Sequence, residues 1–417
     1  MRIHVVDPSA YTPPYDHALC RALGTVGAEV ELYTSRFAYG EVPPAQGYKR
    51  RELFYGLAHR RAADGRRSRA NQALKLAEHV PDMLRYRRVA RSADIVHFQW
   101  LTVQPLDARL LPRRRSSAAG MRPKLVLTAH DVLPREPRPG QLAAQRRLYE
   151  RFDAVVVHSE HGRGRLVHEL DVDPERVHVI PHGAFAHLAE QPLGPPPWRT
   201  DGPVVLCFGL LRPYKGLEVL LEAWRGLDEG SATEKRPGVQ RSAIESASGE
   251  LGAPPARLQS SGPGRASAEL WIVGMPRMDI SALLADLRSV GAPANVRFDT
   301  RFIAEAELPA YFQRADLVVL PYLEADQSGV LFTALAFGKP LLLSDVGGFP
   351  EVAASGAART VPAGDPTALR EALRELLGDP ARLTEMAGHA RAAAAGPYSW
   401  GTVARAHIEL YERLLAQ

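Results

Sequence analysis

The sequence predicts an α/β protein made of two doubly wound domains. A chain of 417 residues is too long for one ordinary core, so two domains are expected from length alone. Strand-like and helix-like segments alternate along both halves, which indicates parallel sheets covered by helices on both faces. The proline-rich stretch 190–203 cannot continue either element, and we place the interdomain linker at 193–202.

The first half contains six short apolar segments with strand character. They cover 2–7, 29–34, 94–100, 124–130, 153–159 and 177–183. Helical stretches such as 16–27 and 162–170 lie between them. Residues 1–192 are therefore predicted to form the N-terminal domain.

The second half repeats the pattern with six further segments. They cover 203–209, 269–274, 295–300, 317–322, 340–345 and 358–361. Residues 203–395 are predicted to form the second domain, and 396–417 a terminal helix. Val403, Tyr411 and Leu414 share one face of that helix, so we expect it to pack back across the two domains.

One segment fits neither domain. Residues 229–269 are rich in Ser, Gly, Pro and Ala and contain almost no large apolar side chains. Such a composition cannot bury enough apolar surface to offset the loss of chain entropy. We interpret the segment as a disordered insertion between a helix and a strand.

Composition excludes several classes of protein. No apolar run approaches the roughly 18 residues that a membrane span needs, and the N-terminus lacks the apolar core of a secretory signal. Cys20 and Cys207 are the only cysteines, so neither a disulfide framework nor a Cys-rich zinc site is expected. These features favour a cytoplasmic protein.

The charge is distributed unevenly. Residues 1–200 carry 31 Lys and Arg against 21 Asp and Glu, whereas residues 201–417 carry 21 against 26. Much of the excess lies in 59–91, which holds ten basic residues and three acidic ones. This stretch is either a solvated helix surface or a patch for an anionic lipid or phosphorylated acceptor. Nucleic acid is disfavoured, because the run lacks interleaved aromatic residues on which bases would stack.

The most specific segment is "CFGLLRPYKGLEVLLEAW", residues 207–224. A strand ends at Phe208, Gly209 allows a tight turn, and Arg212 and Lys215 lie in a loop that leads into a helix. Arg provides a planar fork and Lys a compact point charge, and together they suit a diphosphate. Read alone, they are equally compatible with two solvated cations.

An ordered series of further motifs completes the pattern. They are "IVG" at 272–274, "ADLVVLPY" at 315–322, "ALAFGKPLLLSDVGGFPEV" at 334–352 and "YSW" at 398–400, with looser matches in "LTAHD", "VVVHSE" and "VIPHGA". Together with the Arg–Lys loop they resemble the retaining glycosyltransferases of family 4. The resemblance implies the GT-B architecture, in which two Rossmann-like domains face a central cleft. It also implies a nucleotide-diphosphate sugar donor on the second domain, an acceptor on the first, and no cofactor or metal ion.

The resemblance assigns roles to individual residues. Arg212 and Lys215 match the pair that neutralises the donor diphosphate, and His130 matches a histidine that faces the reacting centre. His130 follows a predicted strand, at the sheet edge where open α/β sheets bind ligands. The Asp171–Asp173 pair lies before a proline, and we interpret it as a turn rather than a metal site.

The donor site is predicted from the same resemblance. The backbone N–H groups at the start of the helix that begins near Ser328 are expected to receive the distal phosphate. The predicted donor-binding residues are Gly209, Arg212, Lys215, Gly274, Phe302, Glu324, Ser328, Gly329, Val330 and Thr333.

Two departures from the family pattern affect the site. The family's Gly-Gly loop after the first strand is replaced by 7–23, where Tyr11 or Tyr15 is expected to line the cleft. Tyr15, His97 and Trp100 are the predicted acceptor-side residues, whereas His158 and His182 read as structural turn residues.

The second departure concerns two glutamates of the family, which are replaced by Ala325 and Thr333. Glu324 and Asp326 flank the first position, so we expect Asp326 to supply the catalytic acid. Thr333 is expected to reach a ribose hydroxyl.

The predicted function is retaining, metal-independent transfer of a hexosyl or related group to a hydroxyl, in glycan, glycolipid or cell-envelope polysaccharide synthesis. The missing glutamates leave two alternatives: a binding protein without turnover, or a GT-B-fold epimerase that isomerises the donor without an acceptor. A soluble acceptor and a lipid-linked one at the inner membrane face both fit. A dinucleotide-dependent dehydrogenase is poorly supported, because no G-x-G-x-x-G follows the first strand.

Overall fold

A computed structural model describes residues 1–38, 40–61, 69–112, 123–133, 139–192, 194–232, 267–281, 283 and 295–417. Most of the predicted insertion, 233–266, lies outside these residues. Its first four residues, 229–232, complete a helix, so the helix extends further than the sequence pattern indicates.

The first domain contains a seven-stranded parallel sheet in the order β3-β2-β1-β4-β5-β6-β7. The strands are β1 Arg2–Asp7, β2 Glu29–Ser35, β3 Lys49–Phe54, β4 Ile95–Phe98, β5 Lys124–Thr128, β6 Ala154–Val157 and β7 Val177–Val179. Six of them were predicted and β3 was not. β3 is a largely exposed edge strand with the sequence KRRELF, so it lacks the apolar run that marks a buried strand.

The second domain contains a six-stranded parallel sheet in the order β10-β9-β8-β11-β12-β13. The strands are β8 Val204–Phe208, β9 Glu269–Val273, β10 Val296–Asp299, β11 Leu317–Leu320, β12 Leu341–Ser344 and β13 Ala358–Val361. All six agree with the sequence prediction. Because β8 lies between β9 and β11, the strand order reverses beside it, and a crevice forms at the carboxyl ends of these strands.

Helices cover both faces of each sheet. In chain order they are α1 Pro13–Thr25, α2 Gly56–Arg61, α3 Arg69–Val89, α4 Gln104–Leu110, α5 Gln141–Tyr149, α6 Glu160–Leu170, α7 Ala186–Ala189, α8 Leu217–Ala232, α9 Leu308–Arg314, α10 Gly329–Ala336, α11 Phe349–Val352, α12 Pro366–Gly378, α13 Pro380–Ala395 and α14 Trp400–Ala416. None of these helices is both long and apolar enough to cross a membrane.

Neighbouring residues of each strand point into different cores, because side chains alternate across a pleated sheet. Val5 and Ile95 pack on one face of the first sheet, whereas Val6 and Val96 pack on the other. Both faces of these strands are therefore buried, which explains why the strands read as continuous apolar runs.

The C-terminal helix returns to the first domain. α13 packs on the second domain through Ala390, whereas α14 contributes Val403, Leu410 and Leu414 to a core that it shares with Leu19 of α1. The predicted return of this helix is confirmed.

Candidate active site

A cavity of about 960 Å³ lies between the two domains, at the carboxyl ends of the strands. Its first-domain wall is formed by residues that follow β1, β4 and β5. Its second-domain wall is formed by residues that follow β8, β11 and β12. The position agrees with the general rule that open α/β sheets bind ligands at this edge.

Arg212 is the exposed cation of the second-domain wall. It follows the turn at Gly209, whose φ of +115° suits glycine. A Cβ at Gly209 would lie 2.9 Å from the Nζ atom of Lys215, so the turn passes close to this cation. The side chain of Arg212 forms no hydrogen bond or ion pair with any residue that the structure describes. Its guanidinium fork is available to a ligand.

Lys215 is buried and acts through Tyr322. Its Nζ atom donates to the Tyr322 hydroxyl at 2.7 Å, and that hydroxyl lies 3.2 Å from the Oγ atom of Ser328. Because an ammonium group can only donate, the Tyr322 oxygen accepts from Lys215, and either hydroxyl can donate in the contact between Tyr322 and Ser328. In this structure Lys215 is connected to the helix start through Tyr322, and its direct contact with the diphosphate stays a prediction.

Ser328 is the N-cap residue of α10, and no side chain caps this helix start. Gly329 is exposed and Val330 half-buried at the first turn. The unpaired N–H groups and the partial positive charge of a helix N-terminus favour an anion. The geometry therefore keeps the predicted phosphate-binding turn.

The other predicted donor residues lie in different places. Glu324 is exposed and lines the cavity. Gly274 has a φ of +138°, and a Cβ there would lie 1.9 Å from the carbonyl oxygen of Gly209, so it permits close packing of two loops. Phe302 is 40% exposed but is not among the residues that line the cavity.

Thr333 is buried, and its hydroxyl donates to the carbonyl oxygen of Gly329 at 2.9 Å. The hydroxyl hydrogen is thus used within the helix rather than presented to a ribose. Ala325 occupies the family's first glutamate position and lines the cavity with a small apolar side chain.

Asp326 differs most from its predicted role. Its Oδ2 atom accepts from the backbone N–H of Val132 at 2.9 Å, and its Oδ1 atom accepts from Nη1 of Arg165 at 2.9 Å. Both partners belong to the first domain. The carboxylate is therefore a link between the domains rather than a free catalytic acid.

A second carboxylate makes a similar interdomain contact. Glu351 accepts hydrogen bonds from the backbone N–H groups of Glu160 and His161, at 3.0 and 2.9 Å. These groups lie at the start of α6, where a negative charge is favoured. Sequence reasoning missed this role, although Glu351 belongs to the "GGFPEV" motif.

His130 forms the centre of the first-domain wall. Its ring stacks on Trp100 with centroids 5.0 Å apart and 15° between planes, and Tyr15 meets it edge-on at 4.7 Å. Trp100 also lines the cavity, and its indole N–H donates to the hydroxyl of Thr12 at 2.9 Å. Tyr15 is only 2% exposed and packs against His130. It does not line the cavity, contrary to the sequence prediction.

The protonation of His130 follows from its neighbours. Nδ1 of His158 lies 3.0 Å from the carbonyl oxygen of Ile180, which can only accept, so this nitrogen carries the hydrogen. Burial lowers the pKa of His158 to about 4, and its Nε2 atom is therefore unprotonated at neutral pH. Nδ1 of His130, 3.3 Å away, must donate to it.

Burial, reinforced by His158, also lowers the pKa of His130 well below its usual range. Its remaining nitrogen, Nε2, is thus an acceptor. It lies 3.1 Å from the side chain of Gln99, whose amide nitrogen we orient toward it because two lone pairs would otherwise face each other. His130 presents a neutral ring to the cleft, and its two nitrogens are engaged by His158 and Gln99.

His97 does not lie in the acceptor pocket. It is fully buried between the sheet and α14, with Nδ1 2.6 Å from the Tyr411 hydroxyl and Nε2 2.7 Å from the Thr128 hydroxyl. The sequence prediction failed because β4 turns this side chain toward the core. His97 fixes the C-terminal helix to the sheet.

Comparison with known families agrees with this geometry. The family model described as Glycosyltransferase Family 4 matches residues 15–184, and that described as Glycosyl transferases group 1 matches residues 255–379. The chain belongs to glycosyltransferase family 4. This family 4 enzyme is a glycosyltransferase, and its two sheets have the GT-B architecture.

Curated relatives span nearly the whole enzyme. It is 28% identical to the D-inositol 3-phosphate glycosyltransferase of Kineococcus radiotolerans, with 95% of this chain and 88% of that one covered. The enzyme of the same name from Nocardia farcinica is also 28% identical, with 93% and 81% covered.

Solved structures share the fold of this family 4 enzyme. Sucrose-phosphate synthase from Thermosynechococcus elongatus superimposes with a TM-score of 0.69 at 18% identity, over 100% and 99% of the two chains. HepE of Anabaena in complex with UDP-glucose gives a TM-score of 0.66 at 16% identity, over 99% and 100%.

Proposed function

We propose that the enzyme is a retaining, metal-independent glycosyltransferase that acts in the synthesis of a glycan, glycolipid or cell-envelope polysaccharide. The observation that carries the proposal is the exposed guanidinium of Arg212, which faces the cavity without a partner in the described chain. A fixed cation at this place stabilises the charge of a departing nucleoside diphosphate.

In this proposal three groups donate hydrogen bonds to the diphosphate. Arg212 offers two parallel N–H donors, which match phosphate geometry. The start of α10 offers backbone N–H groups and the hydroxyl of Ser328, polarised by Lys215 through Tyr322. Because these groups are in place before reaction, they need little reorganisation when the glycosidic bond breaks.

The anomeric configuration of the sugar is retained if the acceptor hydroxyl enters on the face that the diphosphate leaves. The acceptor proton passes to the leaving phosphate oxygen as the anomeric C–O bond breaks, and the new C–O bond forms on the same face. No protein nucleophile is needed in this scheme. The engagement of both oxygens of Asp326 supports it, and the neutral ring of His130 lines the cleft beside the transferred sugar.

UDP-sugars are the first donors to test, because HepE, which shares the fold, binds UDP and UDP-glucose. The acceptor is an alcohol held by the first domain. The name of the curated relatives makes D-inositol 3-phosphate one candidate.

A peripheral membrane contact is part of the proposal. Leu76 and Leu84 are 54% and 39% exposed on α3, beside the exposed Arg85 and Arg88. Such a surface suits anionic lipid. Vesicles containing phosphatidylglycerol should sediment the wild-type enzyme, and Arg85→Glu with Arg88→Glu should release it. Equal sedimentation of this variant would contradict the contact.

The catalytic proposal is tested with the purified enzyme and a panel of UDP-, GDP- and ADP-sugars. We expect nucleoside diphosphate release that persists in EDTA, and a product whose anomeric configuration, read by NMR, matches that of the donor. Arg212→Ala and Lys215→Ala should each lower kcat by about 100-fold, whereas Arg382→Ala, on the far helix α13, should have no effect.

Several outcomes would overturn the proposal. Undiminished transfer by Arg212→Ala would remove its main support, and an inverted product or restoration by metal would refute the mechanism. Isomerisation of the donor without an acceptor would identify an epimerase, and binding without release a silent binding protein.

A further inference from the structure

Tyr11 is an exposed aromatic residue at the rim of the cavity. It is 58% exposed, although it lies in the wall of a cleft. Its ring centroid is 5.3 Å from that of Trp100, tilted by 55°, and Trp100 is stacked in turn on His130. The three rings form a continuous aromatic wall that ends beside the reacting centre.

The turn that carries Tyr11 is strained and firmly held. Ala10 has a φ of +49°, which costs a residue with a side chain roughly 1–2 kcal/mol. The buried carboxylate of Asp7 accepts from the backbone N–H groups of Ser9, Tyr11 and Thr12, at 3.2, 2.6 and 3.2 Å. Strain that is over-determined in this way marks functional sites.

The same turn also fixes Trp100. The hydroxyl of Thr12 accepts from the indole N–H of Trp100 at 2.9 Å. Beneath it, the buried Asp16 contacts Asp7, and burial raises the pKa of Asp16 well above its usual range, so that Asp16 donates its proton to the Asp7 carboxylate. One acid pair therefore stabilises the turn that positions two rings of the wall.

Amide side chains lie on the same side of the cavity. Gln104 and Gln141 line it at the starts of α4 and α5. An amide offers both donors and acceptors, which match neighbouring hydroxyl groups. Aromatic faces with nearby amides suit a ring that is apolar on its C–H face and polar at its edge.

Arg165 is the cation that the described residues contribute to this wall, and it is already occupied. It pairs with Glu169 at 3.0 Å and with Asp326 at 2.9 Å. A phosphate on the acceptor would have to compete with both carboxylates for it. The wall therefore favours an acceptor without charge.

We propose that Tyr11 and Trp100 form an acceptor subsite for an uncharged glycoside, whose pyranose ring lies on Tyr11 while its hydroxyls reach Gln104 and Gln141. This inference rests on the proposed function, because it names the acceptor of the same transfer. The proposed subsite gives Tyr11 a role in acceptor specificity. The acceptor of this enzyme would then differ from that of the curated relatives, which are named for a phosphorylated acceptor.

The test uses maltose, cellobiose and lactose as uncharged probes and D-inositol 3-phosphate as a charged one, with the donor that the nucleotide-sugar panel identifies. We expect transfer to at least one disaccharide. Tyr11→Ala should raise the KM for that disaccharide by at least 10-fold and leave kcat within 3-fold, and Tyr11→Phe should restore the wild-type KM. Leu57→Ala, with a side chain of similar exposure outside the cavity, should change neither constant.

Binding is measured separately, by saturation-transfer NMR of the disaccharide with each variant. Loss of the signal in Tyr11→Ala, with thermal stabilisation by the nucleoside diphosphate unchanged, supports the subsite. An unchanged KM in Tyr11→Ala, transfer to D-inositol 3-phosphate alone, or no transfer to any disaccharide overturns it. Failure of the proposed function is distinct, because Arg212→Ala would then retain full activity.

Discussion

Asp326 and Arg165 join the two domains across the cleft, with Oδ1 of the aspartate 2.9 Å from Nη1 of the arginine. Their side chains are 13% and 29% exposed, so the pair is screened less than a surface ion pair. The aspartate that flanks the family's glutamate position has thus become a structural link. The pair connects the two walls of the cavity, which both residues line.

This pair should be energetically coupled. In a double-mutant cycle of Arg165→Ala and Asp326→Ala, we expect a coupling free energy of about 1–2 kcal/mol, measured by urea unfolding. The exposed pair Arg146 and Glu150 on α5 serves as the control, with about 0.3 kcal/mol expected.

Activity separates this role from catalysis. Arg165→Ala should reproduce most of the effect of Asp326→Asn on the KM for the donor, because both variants loosen the same contact. If Asp326→Asn abolished kcat with no loss of stability while Arg165→Ala had no effect, Asp326 would be a catalytic acid after all.

Removing the Tyr322 hydroxyl should weaken the phosphate site. Tyr322→Phe removes the hydroxyl that accepts from Lys215 and contacts Ser328. We expect affinity for the nucleoside diphosphate to fall by roughly 10-fold, measured by calorimetry. Tyr86→Phe, which removes a buried hydroxyl without a described partner in the first domain, is the control. Unchanged or tighter binding in Tyr322→Phe would show that Lys215 leaves Tyr322 and contacts the diphosphate directly.

Gly274 should tolerate no side chain. Its φ of +138° and the 1.9 Å approach of a Cβ to the Gly209 carbonyl oxygen predict a loss of about 3 kcal/mol or more in Gly274→Ala. Gly388→Ala on α13, where a Cβ meets nothing within 4 Å, should instead raise stability by about 0.5–1 kcal/mol. Thermal unfolding compares the two, and equal midpoints would contradict the packing described for the two loops.

Stability should fall as the solution becomes acidic. Burial lowers the pKa of His158 and His407 to about 4, whereas the unfolded chain titrates near 6.5. The unfolded state therefore binds protons first, and each such histidine costs about 1.4 kcal/mol per pH unit below about pH 6.5. Asp16, whose pKa burial raises, acts in the opposite direction and offsets part of this loss of stability. The other histidines whose pKa burial lowers strongly are His4, His17, His97, His130 and His182.

Urea unfolding at pH 7.5, 6.5 and 5.5 measures this dependence. His407→Phe should reduce the slope by about one proton, and His389→Ala, at a half-exposed position of α13, should leave it unchanged. Constant stability across this range would contradict the lowered pKa values, because the folded protein would then bind as many protons as the unfolded chain.

Thr333 should be dispensable for donor binding. Its hydroxyl donates to Gly329 within α10, so Thr333→Val should keep donor affinity within 2-fold and change stability by less than about 1 kcal/mol. A 10-fold loss of donor affinity, measured by the same calorimetry, would instead place the hydroxyl on the ribose.

The sequence predicted the strands better than it predicted the positions of individual side chains, and the reason is physical. All twelve segments that were predicted as strands form strands, whereas the polar edge strand β3 was not predicted. His97 and His130 follow similar apolar runs on neighbouring strands, yet one is sealed under α14 and the other opens to the cleft. Strand pleating and the return of a helix from the far end of the chain decide between them, and neither is encoded near the histidine.

By itself, the sequence determined the two parallel sheets, the proline-rich linker, the loop of Arg212 and Lys215, and the helix start at Ser328, because apolar period, turn residues and local charge are properties of short segments. Only the tertiary structure decided that Asp326 links the domains, that Lys215 acts through Tyr322, and that Tyr11 rather than Tyr15 lines the cavity. These roles depend on groups more than 100 residues apart or on a strained turn. Which partner a polar side chain meets is set by the closure of two domains, not by its neighbours in the chain.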